Sequence, residues 1–98
     1  MASVEFRYAL PPLAESQFPD IAKTDGTKIA CIVKSHGEVE LVGNSAGLAY
    51  LAKYLAAMSM ITNNRGLHIH LDAELGQIDQ GSSMITIRNL DCEGNRKE

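Results

Sequence analysis

Gly43-Asn44-Ser45-Ala46-Gly47-Leu48-Ala49-Tyr50-Leu51-Ala52-Lys53-Tyr54-Leu55-Ala56-Ala57-Met58-Ser59-Met60-Ile61 is the stretch whose reading decides the fold. It opens on residues that stop a strand and cap a helix, because an Asn or Ser side chain accepts a bond from a free N–H of the first turn. Leu48, Leu51, Ala52, Leu55 and Met58 then recur at the spacing of one helical face, with Tyr50, Lys53 and Tyr54 flanking the stripe. The spacing predicts a helix from Ser45 to Ile61, about 25 Å long. Thr62-Asn63-Asn64-Arg65-Gly66 breaks it.

Upstream of this helix the pattern changes to a two-residue period. Lys28 to Lys34 is the most apolar run, Ser35-His36-Gly37 makes a turn, and Glu38 to Val42 returns. Two alternating runs joined by a short Gly-containing link predict a hairpin, with Ile29, Cys31, Val33, Val39 and Leu41 facing inward. Downstream, Leu67 to Asp72 and Met84 to Arg88 alternate again, separated by a polar connection from Ala73 to Ser83. At the start, Val4 to Leu10 alternates strictly, and Pro11-Pro12 ends that run because proline donates nothing to a ladder.

Residues 11–27 read as a loop with turns at Pro19-Asp20 and Asp25-Gly26 and a short helical turn near Leu13–Gln17. Leu13, Phe18 and Ile21 are expected to tack it onto the sheet. The predicted fold is α+β: an antiparallel sheet of about five strands in the order β-ββ-α-ββ, with one long helix packed on one face. Residues 1–90 form the single domain, and residues 91–98 a polar C-terminal tail.

The composition narrows the function classes. A 98-residue chain allows one small domain. It contains no run of 18 apolar residues, so no membrane span is expected. The opening Met1-Ala2-Ser3-Val4-Glu5 lacks the basic and apolar regions of a signal peptide, which makes a cytoplasmic location the expectation. Net charge is −3 and no basic stripe is visible, which argues against nucleic acid as a partner. In that compartment a disulfide is not expected. Cys31 reads as a small buried hydrophobe, and Cys92 as an exposed thiol in the tail. Phosphate-loop and dinucleotide fingerprints are missing, so no cofactor is implied.

Three features could carry chemistry. Gly43-Asn44-Ser45-Ala46-Gly47 matches G-x-S-x-G between strand and helix, the setting of a hydrolase nucleophile. Against that, no acid lies between Ser45 and His70 and no histidine follows Asp72, whereas a helix start explains both glycine and serine. His68-x-His70-x-Asp72 places two imidazoles and a carboxylate on one strand face, about 6.5–7 Å apart along it. These are zinc-type ligands, so a small metal-binding module or metal-dependent enzyme is the alternative function. The third feature is the whole outer sheet face, where Ile32, Val42 and Met84 would form an apolar centre rimmed by Glu38, Glu40, His68, His70, Asp72 and Arg88. An apolar centre in a polar rim is the anatomy of a protein interface. The same face could instead be an ordinary wet sheet, or join two copies of a homodimeric structural subunit.

Gly43-Asn44, Gly47-Leu48, Leu51-Ala52, His68-Ile69-His70-Leu71-Asp72 and Ser83-Met84-Ile85-Thr86-Ile87 are shared motifs over roughly Val39 to Arg88. In these the chain resembles a bacterial immunity-protein family of polymorphic toxin systems, the one numbered 32. The resemblance implies a small α+β antidote that binds a cognate toxin protein without catalysis of its own. It says nothing about the first strand or the loop 11–27.

Overall fold

The computed structural model describes residues 2–14 and 17–93, with the side chain of Glu93 left aside. Strand β1 (Ile29–Val33) and strand β2 (Val39–Gly43) precede helix α1 (Ser45–Met60), followed by β3 (His68–Leu71) and β4 (Ile85–Arg88). A short 3₁₀ turn, Leu90–Glu93, closes the described chain. The α+β class is as expected, but the sheet is not. β1 pairs only with β2 and β3 only with β4, both antiparallel, giving two two-stranded sheets with four strands in all.

The missing fifth strand is the N-terminal run. Residues 2–10 adopt no strand, Val4 is fully exposed, and Phe6 is half exposed. Alternation specifies which face of a segment is apolar, but a strand also needs an edge to pair with. The outer edge of β1 is already taken by the connection from Asp79 to Ser83. Asp79 N–H donates to Ile29 C=O at 2.8 Å, Ser83 N–H to Cys31 C=O at 2.8 Å, and Cys31 N–H to Ser82 Oγ at 3.1 Å. This irregular segment stands where a third strand would lie, which is also why β1 and β4 do not merge into one sheet. Phe6, Tyr8 and Ala9 instead border a shallow cleft with Ala56 and Met60 of α1.

The β1–β2 hairpin turns through Lys34–Gly37. Gly37 takes a φ of 91°, which side-chain-bearing residues rarely adopt. The register pairs Ile29 with Gly43, Cys31 with Leu41 and Val33 with Val39. In the second hairpin His68 pairs with Arg88, Ile69 with Ile87, His70 with Thr86 and Leu71 with Ile85.

The helix begins as its cap chemistry requires. Asn44 lies in extended backbone and its Oδ1 accepts Gly47 N–H at 2.8 Å. The helix turns a different face to the core than the leucine spacing predicts. Gly47, Tyr50, Leu51, Tyr54, Ala57 and Met58 are buried, while Leu48 and Leu55 are half exposed. The cause lies at the first turn. A side-chain carbon at Gly47 would overlap the Lys28 carbonyl, and one at Gly43 would stand 2.7 Å from the same oxygen. The glycine line therefore sits directly against β1, and the residues one and two turns along it follow inward.

The core contains Ile29, Tyr50, Leu51, Tyr54, Leu71 and Ile78, with Phe18, Ile21, Ile69, Ile85 and Ile87 packed around it. Phe18 stacks on Tyr54 with ring centres 5.9 Å apart, so the 11–27 loop is anchored partly on the helix. Within that loop Gln17 N–H reaches Ala14 C=O at 3.1 Å, while Glu15 and Ser16 of the expected helical turn lie outside the described residues. At the far end of α1, Asn89 Nδ2 donates to Met58 C=O at 2.7 Å and Ile61 C=O at 3.2 Å. These bonds satisfy carbonyls that a helix C-terminus leaves open. Cys31 is buried as expected. Cys92 is also buried, with Sγ 3.0 Å from Ile61 C=O, which corrects the expectation of an exposed thiol.

Candidate functional site

The two hairpins each turn one face to the common core and leave the other open. On β3–β4, Leu71 is fully buried and Ile69, Ile85 and Ile87 are half-buried, so alternation carries His68, His70, Thr86 and Arg88 to the opposite, solvent side. His70 Nδ1 lies 2.9 Å from Thr86 Oγ1 on the paired strand. His68 Nδ1 lies 3.0 Å from Gly66 C=O. The two imidazoles meet edge to face with centres 5.1 Å apart. Both rings are thus partly oriented while their outer surfaces stay exposed.

Asp72 follows the end of β3 and does a structural task. Its Oδ1 accepts Glu74 N–H at 2.9 Å, and its backbone N–H and C=O both bond Gln77. This local turn starts the connection that seats Ile78 in the core. Among the described residues no group of three or more His, Cys, Asp or Glu side chains is placed to hold a metal ion. The His68, His70 and Asp72 set therefore does not converge.

Glu38 and Glu40 belong to the other hairpin, flanking and on β2. Lys34 Nζ stands 4.0 Å from Glu38 and 3.8 Å from Glu40, and His36 Nε2 is 3.1 Å from Glu38. These pairs are solvent-exposed and contribute little to stability. Ile32 (42% exposed), Val42 (46%) and Met84 (56%) are the exposed apolar residues expected at the centre of the outer face. Of the candidates, the structure brings Glu38 together with Glu40 and His68 together with His70. The two groups occupy separate sheets.

One exposed patch escaped the sequence reading. Val33 (54%), Val39 (60%) and Leu41 (48%) share the inward face of β1–β2 with Ile29 and Cys31, yet stand open. The helix leaves β2 at Gly43 and packs at that end of the hairpin, so the end near the turn projects past its cover. The signal available in sequence was the Gly43/Gly47 pair, which marks where the close contact lies.

Ser45 is the first residue of α1 and is exposed. The cap and the close approach to Lys28 account for Gly43, Asn44 and Gly47, and no nucleophile is needed to explain the motif. Among the described residues no helix is long and apolar enough to cross a membrane.

No curated protein and no solved structure shows a significant match to this chain. The family described as Immunity protein 32 matches residues 38–89. That span begins at Glu38 and runs through β2, α1, β3 and β4, carrying Glu38, Glu40, His68, His70, Asp72 and Arg88 but not Ile32 of β1. The match covers about half of the chain, in agreement with the motifs at Gly43-Asn44 and His68-Ile69-His70, and this chain belongs to the Immunity protein 32 family.

Proposed function

We propose that this protein binds and neutralises a cognate bacterial toxin in the cytoplasm, acting by occlusion and without catalysis. The observation that carries this reading is the coincidence of the family match, residues 38–89, with the solvent-facing residues of β2, β3 and β4. Glu38, Glu40, His68, His70, Asp72 and Arg88 form the contact set, with Ile32, Val42 and Met84 as apolar contacts. Buried apolar contacts lengthen the life of a complex, while charged rims set the association rate and partner choice.

The reading is supported by the open outer faces and by exposed imidazoles already steered by Thr86 and Gly66. The test is co-expression. The chain should restore growth to cells producing the toxin encoded beside it and should co-purify with that toxin at one-to-one stoichiometry. Growth arrest that persists at full expression of the chain, with no toxin recovered, would refute the proposal.

A further inference from the structure

The two edges of the β1–β2 hairpin are treated differently. Bonds from Asn44 N–H to Lys28 C=O (3.1 Å) and from Lys34 N–H to Glu38 C=O (2.8 Å) mark the two ends of its ladder. In an antiparallel pair, bonded and non-bonded positions alternate. Residues 29, 31 and 33 of β1 and 39, 41 and 43 of β2 therefore aim their backbone groups away from the hairpin. On β1 the C=O of Ile29 and both backbone groups of Cys31 are met by Asp79, Ser82 and Ser83. On β2, the N–H and C=O of Val39 and Leu41 meet no protein partner among the described residues.

Natural sheets blunt such an edge with lysine, proline, a bulge or a covering loop. Val39-Glu40-Leu41-Val42-Gly43 has none of these, and its one charge, Glu40, lies beside Lys34 of its own hairpin. Apolar side chains stand exposed on both faces of this edge: Val39 and Leu41 on one, Val42 beside Glu40 on the other.

We infer that the β2 edge is a homodimer interface, in which β2 of one copy pairs antiparallel with β2 of a second copy about a two-fold axis at Leu41. Leu41 faces Leu41 of the second copy, Glu40 faces Val42, and Val39 faces Gly43. The outward-facing position 41 lies on the axis, so the Leu41 N–H of each copy donates to the Leu41 C=O of the other, as an isologous contact demands. The register sets no glutamate opposite another: Glu40 faces Val42, and Glu38 faces Asn44. Like charges directly opposed would count against such a pair. The product is a four-stranded sheet, β1-β2-β2-β1, in place of an isolated ribbon that is marginal alone. Edge pairing leaves the outer face with Ile32 and Glu40 open, so this inference is independent of toxin binding.

Sedimentation of the full chain over a wide concentration range should show twice the 10.6 kDa monomer mass. Under mild native oxidation, Leu41→Cys should give roughly ten-fold more covalent dimer than Val42→Cys or Glu40→Cys, because only position 41 meets itself within disulfide range. All three variants carry Cys31→Ala, because Cys31 stands opposite position 41 in the same hairpin and would otherwise capture the new thiol within one chain. Leu41→Lys, at a half-exposed site, should weaken self-association about ten-fold or more with unchanged circular dichroism. A monomer at every concentration, or a dimer whose cross-linking is no greater at position 41 than at position 42, would overturn the inference.

Discussion

Asn44 and Lys28 hold each other from both sides: Asn44 N–H donates to the Lys28 carbonyl at 3.1 Å, and Lys28 N–H donates to Asn44 Oδ1 at 3.1 Å. The same Oδ1 caps the helix through Gly47 N–H, and Asn44 Nδ2 reaches Gly26 C=O at 2.7 Å. One side chain thus ties the Gly26 turn, the start of β1 and the first turn of α1. Asn44→Ala should cost about 2 kcal/mol, lowering Tm by roughly 8–16 °C for a domain of this size. Asn44→Asp retains the acceptor but loses the donor to Gly26, and should cost about 1 kcal/mol. Calorimetry of the two variants tests the ordering.

Gly47→Ala should reverse the usual sign of such a change. Inside a helix, alanine is ordinarily better than glycine by about 1 kcal/mol. Here the added carbon would overlap the Lys28 carbonyl, and backbone on both sides has little room to move. A loss of about 2–3 kcal/mol is expected in urea denaturation.

Alkaline pH should destabilise the fold through the tyrosine pair. Tyr50 and Tyr54 hydroxyls lie 3.3 Å apart in the core. Burial first, then the hydrogen bond and proximity of Tyr54, hold the Tyr50 phenol well above its ordinary value of 10.0. A raised folded-state pKa favours the neutral phenol, so its stabilising contribution is complete below the unfolded value near 10 and is lost as pH rises beyond it. Denaturation midpoints should be flat with respect to this group from neutral pH to about 9 and fall above about 10. Tyr50→Phe should flatten that fall.

Both cysteines should resist a thiol reagent in the native protein, since Cys31 and Cys92 are 5% and 2% exposed. Unfolding in denaturant should make both react rapidly. Immediate labelling of Cys92 in the native state would contradict the packing of the Leu90–Glu93 turn on Ile61.

The helix, a cap at Asn44 or Ser45, the first hairpin, the two later strands and the outward direction of His68 and His70 were legible in the sequence, because each rests on local spacing. Three misreadings share a physical cause. Val4 to Leu10 has the strand period, but Phe6 to Ala9 lie beside Ala56 and Met60 of the helix, where no strand edge is offered. Leu48 and Leu55 outweigh two glycines in any hydrophobic count, yet contact with Lys28 selects the glycine line. Val33, Val39 and Leu41 alternate correctly, but alternation does not say how far the helix reaches. In each case long-range packing decided what local pattern left open. The proposed contact set was legible as a face, and the two-sheet arrangement that divides it was not.

The central claim is that the solvent faces of the hairpins bind a toxin. Calorimetric titration of the isolated cognate toxin domain into the purified chain tests it most directly, with His68→Ala/His70→Ala and Glu40→Lys as variants. Saturable one-to-one binding is expected, weakened about ten-fold or more in each variant at unchanged Tm. No heat of binding with the native chain, or native affinity in both variants, would contradict the account.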